Sequence, residues 1–378
     1  MKVLMNMWSH FLYGHIGDYF ANTEIEALRG QFPDMKFVQV EAVNETALAN
    51  LRTLTVHAAH KLRLLNKNIK TLQPLFNLQC TSYLSEGYLR KIRPDVIFAH
   101  SHIPRIGNQG SVPLVAVEYL ASERYREKSG VLQCLPRDIE AKRWATERAN
   151  IIVTTTPGSK RRFEDWVPEA RERLLQIPIY MPYLEPIEED EVTRKAQGGG
   201  YINALFIGGA ARRKGLPQVL DALHMLPKPA RERLKLTVVS SFEDGTVPGL
   251  ELHAEIMSHV SGAQLSNLLR SAHIFLFPTQ FESYGRVIVE AMAFGCAIIS
   301  SNTDPQDWIL DFGKAGILVN PESAEEIADA LMMLIENRQY RLDLSISASK
   351  RFRDVFYHLV TGKQYRRAFD MAIEKKIQ

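Results

Sequence analysis

PTQFESYGRVIVEAMAFGCAII, residues 278–299, carries three changes of pattern in 22 residues. The apolar run Ile274–Phe277 in front of it has the length and composition of a buried strand. Pro278 to Gly285 then reads as a loop, and from Val287 the spacing of Val289, Met292 and Ala293 predicts one apolar side of a helix. Ala297–Ser300 returns to a β-branched run. Strand, loop, helix and strand in this order form a crossover unit of a parallel sheet. The same rhythm extends in both directions, with strands predicted at Val3–Met5, Asp95–Ala99, Leu114–Val117, Ile151–Thr154, Ala204–Ile207, Leu236–Val239 and Ile317–Val319. These fall into two sets separated by IPIYMPYLEPIEEDEVTRKAQGGG (177–200), rich in proline and acid and ending in glycine.

The expected architecture is therefore α/β, with two Rossmann-like domains facing each other across a cleft. The N-terminal domain covers 1–180, and the linker with the C-terminal domain covers 181–351. A last helix, about 352–378 with Phe352, Phe356 and Tyr365 at apolar positions, is expected to pack back on the N-terminal domain. A length of 378 residues suits two domains of ordinary size.

Composition narrows the function. A formal charge of +3, 46% hydrophobic and 24% charged residues exclude a disordered or collagen-like chain and give no global basic face for nucleic acid. Cys80, Cys134 and Cys296 form no C-x-x-C pair, which fits a reducing compartment and neither a disulfide framework nor a zinc cluster. No run of about 18 apolar residues predicts a membrane span. A dinucleotide-binding fingerprint should follow the first strand, but Gly14-His15-Ile16-Gly17-Asp18 stands there instead. No D-x-D occurs, so a metal-bridged diphosphate has no support.

Two segments carry chemistry. In 278–299, Gly285 lets an anion approach the backbone, and the amides near Arg286 and Val287 at the helix start point at it. Glu282 in the loop and Glu290 on the helix, seven residues between them, suit hydroxyl groups beside that anion. In FIGGAARRKG (206–215) a strand ends at Ile207, Gly208 and Gly209 turn, and Arg213-Lys214 precede a helix over 217–226. Cations are disfavoured at a helix N-terminus, so a basic pair there argues for an anionic ligand.

The block within 257–321, HVSGAQLSNLLRSAHIFLFPTQFESYGRVIVEAMAFGCAIIS with GKAGILVNP, resembles the donor-binding half of glycosyltransferase family 4, retaining enzymes of the GT-B fold. The resemblance is strong over about 200–321 and thinner in the N-terminal half. It implies that Glu290 binds the ribose of a nucleotide donor, that Glu282 holds the transferred sugar, and that the Gly285–Val287 amides contact the diphosphate, with Ser283 and Tyr284 beside them. It also implies that Arg213 and Lys214 stabilise the leaving phosphate. Gly209 stands where the family carries an arginine, so either Arg212 substitutes or that contact is missing. Gly17 matches a family loop glycine and His100 a family histidine, whereas Glu118 stands where a histidine is frequent.

The implied activity is transfer of a sugar from a UDP- or GDP-sugar, with no metal or other cofactor, to a hydroxyl of a glycan or lipid-linked acceptor, in surface polysaccharide, lipopolysaccharide or glycolipid assembly. A nucleotide-sugar epimerase and a non-catalytic nucleotide-sugar or membrane-binding homologue share the same architecture. Residues 46–85 contain no Asp or Glu, and Leu51, Leu54, Ala58, Leu62, Leu65, Ile69 and Leu72 recur at helical spacing beside Arg52, Lys61, Arg63, Lys67 and Lys70. That pattern reads either as a core-facing helix with a wet basic side or as a surface for anionic lipid over 51–72. The expected location is the cytoplasm, either free or peripheral on the inner face of the cytoplasmic membrane. No nucleic-acid partner is expected.

Overall fold

The computed structural model describes residues 1–7, 26–39, 83–84, 86–100, 105–106, 112–118, 148–197, 200–242, 245–258 and 260–377. The chain divides into two compact units, Met1–Pro182 with Thr361–Gln378, and Tyr183–Val360.

In the first unit the strands are β1 (Lys2–Met7), β2 (Lys36–Gln39), β3 (Tyr83–Leu84), β4 (Val96–His100), β5 (Arg105–Ile106), β6 (Leu114–Glu118), β7 (Ile151–Thr154) and β8 (Leu174–Gln176). Six of them form one parallel sheet in the order β2-β1-β4-β6-β7-β8, and β3 pairs with β5 apart from it. The inner strands β4, β6 and β7 are apolar up to their last residue rather than alternating because both faces are covered. Val3, Met5, Val96, Phe98, Val115, Val117, Ile151 and Val153 enter one core, and Leu4, Ile97, Ala99, Leu114, Ala116 and Ile152 enter the other. That is the two-residue period of a strand divided between two layers.

Helix α1 (Pro157–Trp166) starts where Thr156 accepts a hydrogen bond from the Ser159 amide at 3.1 Å with Pro157 in the first turn, and its Phe163 is buried on the second of those faces.

In the second unit the strands are β9 (Ile202–Ile207), β10 (Leu234–Val239), β11 (Ala254–Met257), β12 (Ile274–Phe277), β13 (Ala297–Ser301) and β14 (Ile317–Val319). They form a second parallel sheet in the order β11-β10-β9-β12-β13-β14. Helices α2 (Leu216–Met225) and α3 (Arg286–Ala293) follow β9 and β12. The strand order reverses between β9 and β12, so the loops leaving their carboxyl ends open side by side, where ligands bind in open α/β sheets. Residues 177–187, proline-rich in sequence, are tightly held: Ile177, Ile179, Tyr180, Met181, Leu184 and Ile187 are all buried.

Helix α4 (His358–Ile377) begins in the second unit and, from Thr361, belongs to the first. Tyr365, Ala368, Phe369 and Ala372, at helical spacing, enter the first unit's core. Phe98 meets the rings of Tyr365 and Phe369 edge-on at 5.6 and 5.3 Å. Phe352 and Phe356 are buried short of this crossing, Phe356 against Trp308 at 5.5 Å. Among the described residues no helix is long and apolar enough to cross a membrane. The stripe over 51–72 lies outside the described residues.

Candidate functional site

Backbone packing brings the two chemistry-bearing loops together. After β9 the chain turns twice, with the Lys214 amide donating to the Ala210 carbonyl and the Gly215 amide to the Arg212 carbonyl, both at 3.0 Å. Gly215 has φ +86°, and a Cβ there would sit 2.0 Å from the Pro278 carbonyl oxygen. Only glycine allows this approach. The next contacts extend it: the Gln280 amide donates to the Arg213 carbonyl at 3.0 Å, the Arg213 Nη1 to the Phe281 carbonyl at 2.6 Å, and the Thr279 hydroxyl to the same carbonyl at 2.8 Å.

On this frame Lys214 and Glu282, 68 positions apart, form an ion pair through Nζ and Oε2. The two side chains are only 11% and 12% exposed, so each supplies the other's counter-charge in a place where a lone charge would be costly. The Lys214 ammonium lies 4.6 Å from the centre of the Phe277 ring. Glu282 Oε1 accepts from the Ser283 amide at 3.0 Å. A Cβ at Gly208 would meet Lys214 Cγ at 2.8 Å, so that glycine makes room for the lysine stem. Arg212 turns elsewhere, donating through Nη2 to the Thr246 carbonyl at 2.8 Å. Gly209 accepts from the Ser240 hydroxyl at 3.2 Å through its carbonyl.

Helix α3 is fixed by Ile288, Val289, Met292 and Ala293, all fully buried, and by Tyr284 just before it. Its N-cap, Gly285, has φ +90° and supplies no capping side chain. The first-turn amides around Arg286 and Val287 thus keep the partial positive charge of an uncapped helix start for an anion. Glu290 lies one turn further on, where its Oε1 accepts from the Tyr183 hydroxyl at 2.8 Å. Arg286 Nη2 donates to the same hydroxyl at 3.1 Å and stands 5.6 Å from the ring centre. Burial, together with the Glu290 charge, pushes the Tyr183 hydroxyl well above its usual range, so it stays a donor. Gln306, fully buried, has its Nε2 3.5 Å from where a Gly285 Cβ would be and without a partner among the described residues.

The structure thus gathers Arg213, Lys214, Glu282, Ser283, Tyr284, Gly285, Arg286, Val287 and Glu290 around the carboxyl ends of β9 and β12, with Gly208 beneath Lys214. His100 and Glu118 end β4 and β6 in the other unit; their side chains, and Gly17 altogether, lie outside the described residues. Tyr183 and Gln306 were not anticipated. Tyr183 is one of two tyrosines in a proline-rich segment with no helical or strand pattern, and Gln306 belongs to no motif. A cavity of about 540 Å³ lined by Asn203, Leu234, Lys235, Glu251 and His253 opens near the amino ends of β9 and β10, the other end of that sheet. Among the described residues no three metal-ligating side chains cluster.

Two six-stranded parallel sheets, one in each unit, define an α/β protein, and its solved structural neighbours give it the GT-B fold. Residues 188–351 match the family model for glycosyl transferases group 1. A phosphatidyl-myo-inositol mannosyltransferase of Mycolicibacterium smegmatis is 32% identical over 167 residues, 42% of this chain and 42% of that protein. The O-antigen chain mannosyltransferase B of Escherichia coli is 27% identical over 170 residues, 43% and 44% of the two chains. The chain thus spans less than half the length of these two curated relatives. Among solved structures, a sucrose-phosphate synthase from Thermosynechococcus elongatus superposes with a TM-score of 0.64 at 15% identity over 98% of this chain and 99% of that one. Anabaena Alr3699/HepE, solved with UDP and glucose, superposes with 0.63 at 14% identity over 97% and 98%.

Proposed function

We propose that the protein is a glycosyltransferase that moves a sugar from a UDP- or GDP-sugar to a hydroxyl of a glycan or lipid-linked acceptor, with retention of anomeric configuration. The observation that carries this reading is the Lys214–Glu282 pair seated beside the uncapped start of α3, which sets cations and helix amides for a diphosphate next to a carboxylate for sugar hydroxyls. Glu290 takes the ribose. In the reaction the acceptor oxygen bonds to the anomeric carbon on the face from which the diphosphate leaves. The bond from anomeric carbon to phosphate oxygen breaks with its electron pair going to the diphosphate, and the acceptor proton passes to that leaving oxygen. Lys214, Arg213 and the α3 amides stabilise the growing charge, a role that removes the need for a metal ion. The names of the relatives, a phosphatidyl-myo-inositol mannosyltransferase and an O-antigen chain mannosyltransferase, support a lipid-linked or polysaccharide acceptor; the basic, apolar-striped sequence of 51–72 is the candidate for contact with anionic lipid at the inner membrane face.

The test is calorimetric titration with UDP, GDP, ADP and CMP, repeated on Glu290→Ala and Lys214→Ala. One nucleotide is expected to bind, both variants are expected to weaken it, and transfer from the matching nucleotide sugar is expected to survive excess EDTA. Binding unchanged in both variants would remove the site assignment, and loss of transfer in EDTA would remove the metal-independent step.

A further inference from the structure

We infer that Tyr183 is a positioning residue of the donor site: its hydroxyl links Arg286 to Glu290 and fixes the carboxylate on which the nucleotide ribose is read. The inference rests on the proposed role of Glu290. The hydroxyl gives its proton to Glu290 Oε1 at 2.8 Å and takes one from Arg286 Nη2 at 3.1 Å, a directed chain of guanidinium, phenol and carboxylate. Glu290 Oε2 has no partner among the described residues, so the carboxylate is held by one oxygen and presents the other. A glutamate side chain left to itself samples many rotamers, and freezing it on binding costs free energy that a pre-formed hydrogen bond removes. The donor that does this must be neutral. A cation directly on Glu290 would compete with sugar hydroxyls for its charge, and here Arg286 reaches Glu290 through the phenol.

Tyr183 is placed by its own surroundings. It is the first residue of the second unit, between Pro182 and the buried Leu184, and its ring has the Arg286 guanidinium over it at 5.6 Å. Tyr183→Phe therefore keeps the ring and that contact while deleting only the relay atom. Burial and the Glu290 charge hold the phenol protonated, so the relay is not titrated over ordinary pH.

A positioning role is read in ribose selectivity rather than in affinity alone. Wild type, Tyr183→Phe, Glu290→Ala and the double variant are titrated with UDP and 2′,3′-dideoxy-UDP, and with GDP and its dideoxy counterpart. Wild type is expected to prefer the ribonucleotide, and Tyr183→Phe is expected to lose about 5- to 10-fold of that preference, the size of one ordinary net hydrogen bond. The dideoxy affinity should stay nearly unchanged. In the Glu290→Ala background the same substitution should alter nothing. Equal ribose preference in wild type and Tyr183→Phe would overturn the inference while leaving Glu290 as the ribose ligand. A wild type that does not distinguish the two nucleotides would overturn both.

Discussion

Replacing Gly215 by alanine should separate the two loops that make the site, and its size follows from two numbers. The residue has φ +86°, where an L-residue costs about 1–2 kcal/mol more than glycine. The added Cβ would lie 2.0 Å from the Pro278 carbonyl oxygen, whereas real Cβ atoms stay beyond 3.0 Å. The Lys214 loop or the Pro278 loop must therefore retreat by about 1 Å, taking Glu282 and Lys214 apart, and a 1 Å misplacement at a reacting centre costs on the order of 100-fold in rate. Gly249→Ala is the matched control, since φ is +79° and nothing among the described residues lies within 4 Å of where its Cβ would be. The assay is the urea midpoint of unfolding for both variants, alongside nucleotide titration and transfer rate. Gly249→Ala should lose about 1–2 kcal/mol and keep full activity. Gly215→Ala should lose at least 1 kcal/mol beyond that, with weakened nucleotide binding. A Gly215→Ala protein as stable as the control and as active as wild type would refute the claim that this glycine is what lets β9 and β12 present a joint site.

The Lys214–Glu282 pair predicts a cycle rather than two separate losses. Lys214→Ala leaves a carboxylate with little solvent access and no counter-charge, so it should destabilise by about 3 kcal/mol, part of which Glu282→Gln should restore in the double variant; transfer should fall by 10²–10³-fold in every member, as for loss of a charge stabiliser. A fully additive cycle would mean the pair is not coupled in solution. His273 sets a pH dependence. Its Nδ1 accepts from the Asn203 amide at 3.1 Å, and burial, followed by the charges of Arg341 and Lys195, pulls its pKa down to about 4 from the usual 6.5. The folded state therefore favours the neutral ring: the contribution is complete above about pH 6.5, drains away as pH falls toward 4, and is constant below that. With the ring partly solvent-accessible, this amounts to about 1–2 kcal/mol. His273→Gln should flatten the fall in urea midpoint between pH 6.5 and 4, and a parallel fall in both proteins would assign the effect to other groups.

Much of this molecule was legible because buried parallel strands leave little ambiguity. Four to six apolar, β-branched residues between glycine and proline loops identify β4, β7, β9, β12 and β13. Shorter edge strands such as β2, β8 and β11 were invisible, since half of a solvated edge carries polar side chains; Lys36, Gln39 and Glu255 sit within them. The site was legible in its parts, namely the glycine loop, the basic pair and the two glutamates. That Lys214 meets Glu282 was not, because the meeting depends on β9 lying next to β12, and strand order is a property of the sheet that no local window contains. Tyr183 was hidden for a related reason. Two tyrosines among prolines at 180 and 183 say nothing of which one faces the site, and Tyr183's partner Glu290 lies 107 positions away.

The return of α4 to the first unit bears on the order in which the protein is made. Tyr183–Val360 is continuous in sequence, so every residue of its core has been synthesised before Thr361. The first unit is in the opposite situation. Its sheet face formed by Val3, Met5, Val96 and Phe98 waits for Tyr365 and Phe369, which are translated only after the whole intervening unit. Domains usually mature in the order in which they emerge from the ribosome; here the unit begun second is the one that can be finished first.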